Sequence, residues 1–281
     1  MARAVGLVKI IRPLNCIVMS FAVLVGASLT GLGNLQWLTL IFGAITAFTL
    51  TGASMAVNDY YDYNIDKINE PNRPIPSGMV SKKEALATTG ILTIIGLIFA
   101  YIVSLYCLLF AVAAWVIMVT YTTIGKRTGF TGNLLVSACV AAPFLYGSLV
   151  AVDLITINTL LFASMAFLSN TGREITKGIV DIEGDSTHKI RTLAVIFGSK
   201  KASLFAALFF ISAVCLSPIP LLLDIVSIWF IPFVLVTDMG LLWCSIALIR
   251  NPARENSRKI KKMVLFLFIF GLLAFVFGML R

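Results

Sequence analysis

The residues able to do chemistry gather in two short segments. The first reads Asn58-Asp59-Tyr60-Tyr61-Asp62-Tyr63-Asn64-Ile65-Asp66 and the second Asp181-Ile182-Glu183-Gly184-Asp185. Residues four apart on a helix lie on one face. Asn58, Asp62 and Asp66 therefore form one stripe, and Asp181 and Asp185 another. Nothing before Pro71 breaks a helix, so the first stripe is expected on one continuous helix. Arg173 and Lys177 extend the second stripe backwards by the same step. Like charges four apart repel, so each stripe needs a counter-charge. A divalent cation is the natural one. Mg²⁺ takes oxygen ligands and is commonly held by one or two carboxylates, waters and phosphate oxygens. Two carboxylate faces, one from each half of the chain, can hold two Mg²⁺ ions against one diphosphate, an arrangement that stabilises a departing oxyanion.

Basic residues flank both segments. Arg73 follows Pro71-Asn72, Lys126 and Arg127 end a long apolar stretch, and Lys177, Lys189 and Arg191 surround the second acidic run. Such cations can neutralise charge that develops on a leaving phosphate. One acidic run at a helix end is more often a solvated tip, and Lys126-Arg127 alone more often a topology signal. The argument rests on two matching runs. Asn15, in Arg12-Pro13-Leu14-Asn15, is either a helix-start residue or a cavity-facing one. Asp238 lies inside an apolar stretch and has no assigned role. His188 is the only histidine, which nearly excludes His-based zinc or triad chemistry. The five cysteines sit in apolar stretches at unrelated spacings and read as packing residues.

The elements that must position these groups are membrane spans. The chain of 281 residues is 59% hydrophobic and only 12% charged, too little polar surface to coat a soluble globule of this size. A spanning helix needs roughly 20 apolar residues. Nine stretches qualify, near 14–32, 36–57, 85–104, 106–124, 133–152, 157–176, 202–219, 227–249 and 263–280. Nine spans put every one of the 22 Lys and Arg residues except Arg281 on one side, which the positive-inside rule makes cytoplasmic. The expectation is an all-α integral membrane domain over 1–281, N-terminus inside and C-terminus outside. Its two long cytoplasmic connections, at about 58–83 and 177–201, hold seven of the 13 acids. The net charge of +9 follows from this topology and from attraction to anionic headgroups, so the bilayer, not nucleic acid, is the expected partner.

At these residues the sequence resembles the UbiA superfamily of intramembrane prenyltransferases. Its N-D-x-x-D-x-x-x-D motif stands here as Asn58-Asp59, Asp62 and Asp66, and its D-x-x-x-D motif as Asp181 and Asp185. The resemblance covers nearly the whole chain and implies nine helices around a central cavity, with a polar cytoplasmic mouth and an apolar depth open to lipid. The run from Asp66 to Gly78 is similar to two branches, one that makes digeranylgeranylglyceryl phosphate and one that makes chlorophyll. Arg173 to Asp185 is closer to the first.

That branch implies geranylgeranyl diphosphate as donor and geranylgeranylglyceryl phosphate as acceptor. It implies Mg²⁺ on Asp62, Asp66, Asp181 and Asp185, with Asn58 and Asp59 in support. Arg73, Lys126 and Arg191 would neutralise the remaining charge, with Lys177 beside them, and Tyr121 would face an allylic cation. The apolar cavity would exclude water that otherwise captures the cation. The rival acceptors are chlorophyllide, 4-hydroxybenzoate and naphthoate. A cation-coupled transporter is a rival of another kind, but its site would lie near the midplane, whereas these motifs lie at helix ends. The D-G-x-x-A-R pattern of CDP-alcohol phosphotransferases is absent.

Overall fold

The computed structural model describes residues 2–31, 33, 36–187 and 190–280. His188, Lys189 and Leu32, the expected end of the first span, lie outside the described residues. Among the described residues every regular element is helical. The elements run α1 (Ala2–Ile11), α2 (Pro13–Ser28), α3 (Trp37–Tyr61), α4 (Tyr63–Asn69), α5 (Lys82–Val103), α6 (Leu105–Thr123), α7 (Phe130–Val152) and α8 (Ile157–Val180). They continue with α9 (Ile182–Thr187), α10 (Leu193–Leu216), α11 (Ile219–Leu222), α12 (Phe230–Arg250) and α13 (Arg254–Gly278).

Eight helical segments among the described residues are long and apolar enough to cross a membrane. The first is longer than the sequence suggested, because α1 and α2 run almost end to end over Arg3–Ser28. The stretch expected near 157–176 is the long helix α8, but its composition is too polar to count among the eight. Asn158, Ser169, Asn170, Arg173 and Glu174 all lie on it, and four of these five are fully buried. The connection expected to reach residue 201 ends earlier, because Thr192 caps α10 by accepting from the Val195 amide. A kink at Gly198 (φ 79°) lets α10 continue through Lys200 and Lys201.

The chain forms two compact units. The first comprises Met1–Thr123 and Pro143–Ile155, the second Ile124–Ala142 and Thr156–Arg281. Helix α7 crosses from one to the other at Pro143, an internal proline that interrupts helical hydrogen bonding. In the first unit α3 packs on α2 and α5. Lipid gives little hydrophobic drive between helices, so close backbone approach and polar contacts must supply the cohesion. A side chain at Gly147 would strike the Val23 carbonyl, and one at Gly26 the Phe144 carbonyl, so α2 and the end of α7 nearly touch. Thr46 donates to the Gly96 carbonyl at 3.3 Å, tying α3 to α5.

In the second unit α8 packs on α10 and α13, and α12 on α10 and α13. Phe210, fully buried, lies against Gly172, and Phe275 meets Phe162 and Phe230 edge-on. Asn170 donates to Ser137 at 3.1 Å, joining α8 to the start of α7. The five cysteines are all free; Cys16, Cys107 and Cys244 are buried, Cys139 is half-buried, and Cys215, expected as a packing residue, is exposed. Asp238 meets Ser217 at 2.5 Å, a polar contact between α12 and the end of α10.

Candidate active site

The first acidic segment does not form one unbroken helix. Helix α3 stops at Tyr61, Asp62 takes φ −81° and ψ 0°, and α4 begins at Tyr63. These angles stay in the right-handed helical region, and Asp62 is the single residue that separates the two helices. Sequence pattern gave no warning, since no proline or glycine marks the break. The four-residue step nevertheless survives it. The Asp62 amide donates to Asn58 O at 2.9 Å, Asp66 to Asp62 O at 2.8 Å, and Glu70 to Asp66 O at 2.8 Å. Asn58 Nδ2 also donates to Asp62 Oδ2 at 3.0 Å.

Two of the acids here meet arginines. Asp59, 1% exposed, accepts from Arg12 at 2.6 Å and lies 3.6 Å from Arg73. Asp66, 5% exposed, accepts from Arg73 at 2.6 Å. Arginine thus supplies counter-charge that the sequence argument left entirely to a metal. Arg73, expected on phosphate, rests on the motif itself. Burial opposes its charge, but the hydrogen bond and charge of Asp66, with Asp59 and Glu70 adding, outweigh that and hold it protonated. Removing one partner from so buried a pair costs about 3–5 kcal/mol.

The turn carrying Arg73 is folded rather than loose. Ile75 and Val80 are buried against Ile10, Ala56 and Ala85. Ser77 N bonds Arg73 O and Val80 N bonds Pro74 O, both at 3.0 Å. A capping box between Ser81 and Glu84 then starts α5. Lys82 lies 3.8 Å from the centre of the Tyr63 ring, so Tyr63 is more than an interfacial tyrosine.

The second segment repeats the design. Helix α8 ends at Val180, Asp181 takes φ −101° and ψ 10°, and α9 follows from Ile182. Asp181 N bonds Lys177 O at 3.0 Å and Asp185 N bonds Asp181 O at 2.8 Å. Both side chains are half-buried. Arg254, which reads from sequence as a topology or headgroup residue, donates through Nε to Val180 O at 3.1 Å. It therefore meets a last-turn carbonyl that a helix end leaves without an intrahelical donor. Its guanidinium also lies 3.7 Å from Glu183. Arg173 and Lys177 clasp Glu174, at 2.6 and 3.4 Å. Glu174 is 9% exposed and was missed in the sequence, where it stands outside the D-x-x-x-D spacing.

Lys126 lies in a short 3-10 turn, Gly125–Arg127, and Gly129 just after it runs close to the Arg191 carbonyl. Gly129 makes this possible: it has φ +66°, and a Cβ there would sit 1.9 Å from the Arg191 carbonyl. Lys126 is half-buried and Arg191 exposed. Asn15 is exposed on α2, with Nδ2 3.9 Å from Met55 Sδ, one helical turn before Asp59. Tyr121 is half-buried near the end of α6.

Within each unit, then, the structure joins Asn58 to Asp62, Asp59 to Asp66 through Arg73, Lys177 to the second motif, and the Lys126 turn to Arg191. In neither unit do three or more His, Cys, Asp or Glu side chains among the described residues group as metal ligands would. A carboxylate pair is still enough for Mg²⁺ when phosphate and water complete its shell.

Comparison with known proteins assigns the class. The chain belongs to the UbiA prenyltransferase family, whose model covers residues 19–278. It is an enzyme of the prenyltransferase type. Digeranylgeranylglyceryl phosphate synthase of Archaeoglobus fulgidus is 38% identical over 85% of this chain and 83% of its own length. The enzyme of that name from Pyrococcus furiosus is 37% identical, over 96% of each chain. A solved structure described as giving insight into digeranylgeranylglyceryl phosphate synthase in membranes superposes with a TM-score of 0.90, at 28% identity over 99% of both chains. A UbiA homologue from A. fulgidus bound to GPP and Mg²⁺ shares the fold, with a TM-score of 0.71 at 15% identity over 96% of this chain and 99% of its own.

Proposed function

We propose that this enzyme moves a geranylgeranyl group from geranylgeranyl diphosphate to the free hydroxyl of geranylgeranylglyceryl phosphate, forming the second ether bond of an archaeal-type membrane lipid. The observation that carries this reading is the doubled design: two carboxylate pairs with a four-residue step, each placed where a helix breaks. The names of the A. fulgidus and P. furiosus relatives support the choice of donor and acceptor.

The donor set suits Mg²⁺, since Asp62, Asp66, Asp181 and Asp185 are hard oxygen ligands and one of them already balances a cation. We assign two Mg²⁺ ions to these four residues; a relative bound to GPP and Mg²⁺ supports the choice of ion. Bound there, Mg²⁺ would neutralise the diphosphate as it leaves. Arg73 would turn from Asp66 to the phosphate oxygens, keeping Asp59 as its second partner. Lys126, Lys177 and Arg191 would add positive charge, and Asn58 would hold Asp62 in place. The C–O bond of the donor then loosens toward an allylic cation, which Tyr121 faces and the acceptor hydroxyl captures. Asn15 lines the same site. A leaving group of this kind needs electrostatic stabilisation more than a strong base.

In this reading the whole chain is one transmembrane domain of nine helices, α8 included. The N-terminus and the segments at 58–83 and 177–201 face the cytoplasm, in the cell membrane. The test is an assay of the purified protein with labelled geranylgeranyl diphosphate, Mg²⁺ and a panel of acceptors. Prenylation of geranylgeranylglyceryl phosphate alone is the expected result. Preference for chlorophyllide, 4-hydroxybenzoate or naphthoate would overturn the choice of acceptor.

A further inference from the structure

Arg12 is the residue before Pro13 and holds φ 50° and ψ 70°, in the left-handed region. A non-glycine residue there is strained, and such strain persists only where surrounding contacts impose it. The contact is visible. Arg12 reaches Asp59 at 2.6 Å through one terminal nitrogen and Met55 Sδ at 3.5 Å through the other. Four charges then alternate in a line: Arg12, Asp59, Arg73, Asp66, with separations of 2.6, 3.6 and 2.6 Å. Asp59 is nearly inaccessible and must have a cation beside it. Arg12 fills that need at short range. Arg73 is thereby left at the longer distance from Asp59 and at bonding distance from Asp66.

We propose that Arg12 is a positioning residue, which satisfies Asp59 so that Arg73 is shared with Asp66 and stays available for phosphate. This rests on the proposed role of the first motif in metal and diphosphate binding, and deepens it. Without Arg12, the buried Asp59 draws Arg73 to itself. Asp66 then loses its cation, and the phosphate loses its arginine. The two consequences have opposite signs: metal alone binds more tightly and diphosphate less tightly. A general loss of structure would weaken both.

The experiment uses the full chain in detergent, with Mn²⁺ followed by electron paramagnetic resonance and inorganic diphosphate by calorimetry. In Arg12→Gln we expect Mn²⁺ affinity to rise and diphosphate affinity to fall, each by about tenfold, the lower end of what partners of metal ligands contribute. In the double variant Arg12→Gln/Asp59→Asn the buried charge is gone, nothing draws Arg73 away from Asp66, and the rise in Mn²⁺ affinity should disappear. Unchanged affinities in Arg12→Gln, or a fall in both, overturns the proposal. Should Arg12→Gln not fold, Arg12→Lys decides: it keeps the charge but not the fork that reaches Met55 and Asp59 together. Opposite shifts of smaller size support the proposal, and no shift overturns it. Asp62→Ala separates the two levels. If it loses Mn²⁺ while the Arg12 variants bind both probes normally, only the Arg12 proposal fails. If it binds Mn²⁺ as the unaltered chain does, the metal assignment itself fails.

Discussion

Arg73 donates to Asp66 at 2.6 Å while standing 3.6 Å from Asp59, so one guanidinium serves two buried carboxylates of the same motif. In the proposed mechanism, removing it would deprive the diphosphate of a cation, and it leaves Asp66 without its partner. Arg73→Ala should lower turnover on the order of 10²-fold, the loss typical of one preorganised donor to a developing anion. Initial rates at saturating acceptor measure it. Arg73→Lys should recover part, since it keeps the charge without the fork.

Asp62 and Asp181 sit at the two helix breaks with half-buried side chains. Neither belongs to the tightly packed interior, so replacement by alanine should leave thermal unfolding in detergent almost unchanged, within roughly 1 kcal/mol. Turnover should vanish in both. Transfer at the unaltered rate by either folded variant would refute the assignment of these carboxylates.

Chelation offers a test without mutation. EDTA should abolish transfer and added Mg²⁺ restore it. Ca²⁺ should restore little, because it is larger, with longer bonds and a looser shell than the tight octahedron of Mg²⁺. Rates across a titration of each ion give the answer.

Gly129 is the point where the Lys126 turn meets the Arg191 carbonyl. Alanine there faces both a positive φ and a backbone oxygen only 1.9 Å from its Cβ. The strain alone is worth about 1–3 kcal/mol, and the chain must also move apart. Gly129→Ala should lower the unfolding temperature and raise KM for the donor, as Lys126 and Arg191 separate.

Arg254 reaches the carbonyl of Val180, the last residue of α8 before Asp181. Arg254→Ala should cost about 1 kcal/mol in stability, a hydrogen bond's net worth. Its effect on kcat should be larger than that stability loss suggests, because the backbone at Asp181 loses its brace. Equal kcat in folded Arg254→Ala would show that the contact only holds the surface together.

The charge pattern made much of this readable. Period-four spacing placed Asp62 after Asn58 and Asp185 after Asp181, and hydrogen bonds do follow that step across both breaks. Apolar length identified eight long helices among the described residues, because backbone groups in lipid must pair within their own segment, whereas α8 is too polar to qualify. The breaks at Asp62 and Asp181 were not legible. Their local residues permit helix, and at the second break Arg254 meets the Val180 carbonyl where the helix stops. Arg12 and Arg254 were read as topology signals for a related reason. A basic residue near a span carries that signal whether or not it bonds a distant carboxylate or carbonyl. Glu174 lay outside the expected spacing, and its value shows only when α8 folds Arg173 and Lys177 around it.

Helix α8 carries Asn158, Asn170, Arg173, Glu174 and Lys177 along its length. Its three charged residues fall in the last two turns rather than at mid-helix, where such groups cost roughly 2.5–3.5 kcal/mol apiece on translocon insertion, yet the segment is too polar to count among the eight apolar helices. Its packing partners α10 and α13 are both synthesised after it. In the nine-helix reading proposed above, the most chemically loaded span would depend on greasier helices made after it to shelter its polar residues.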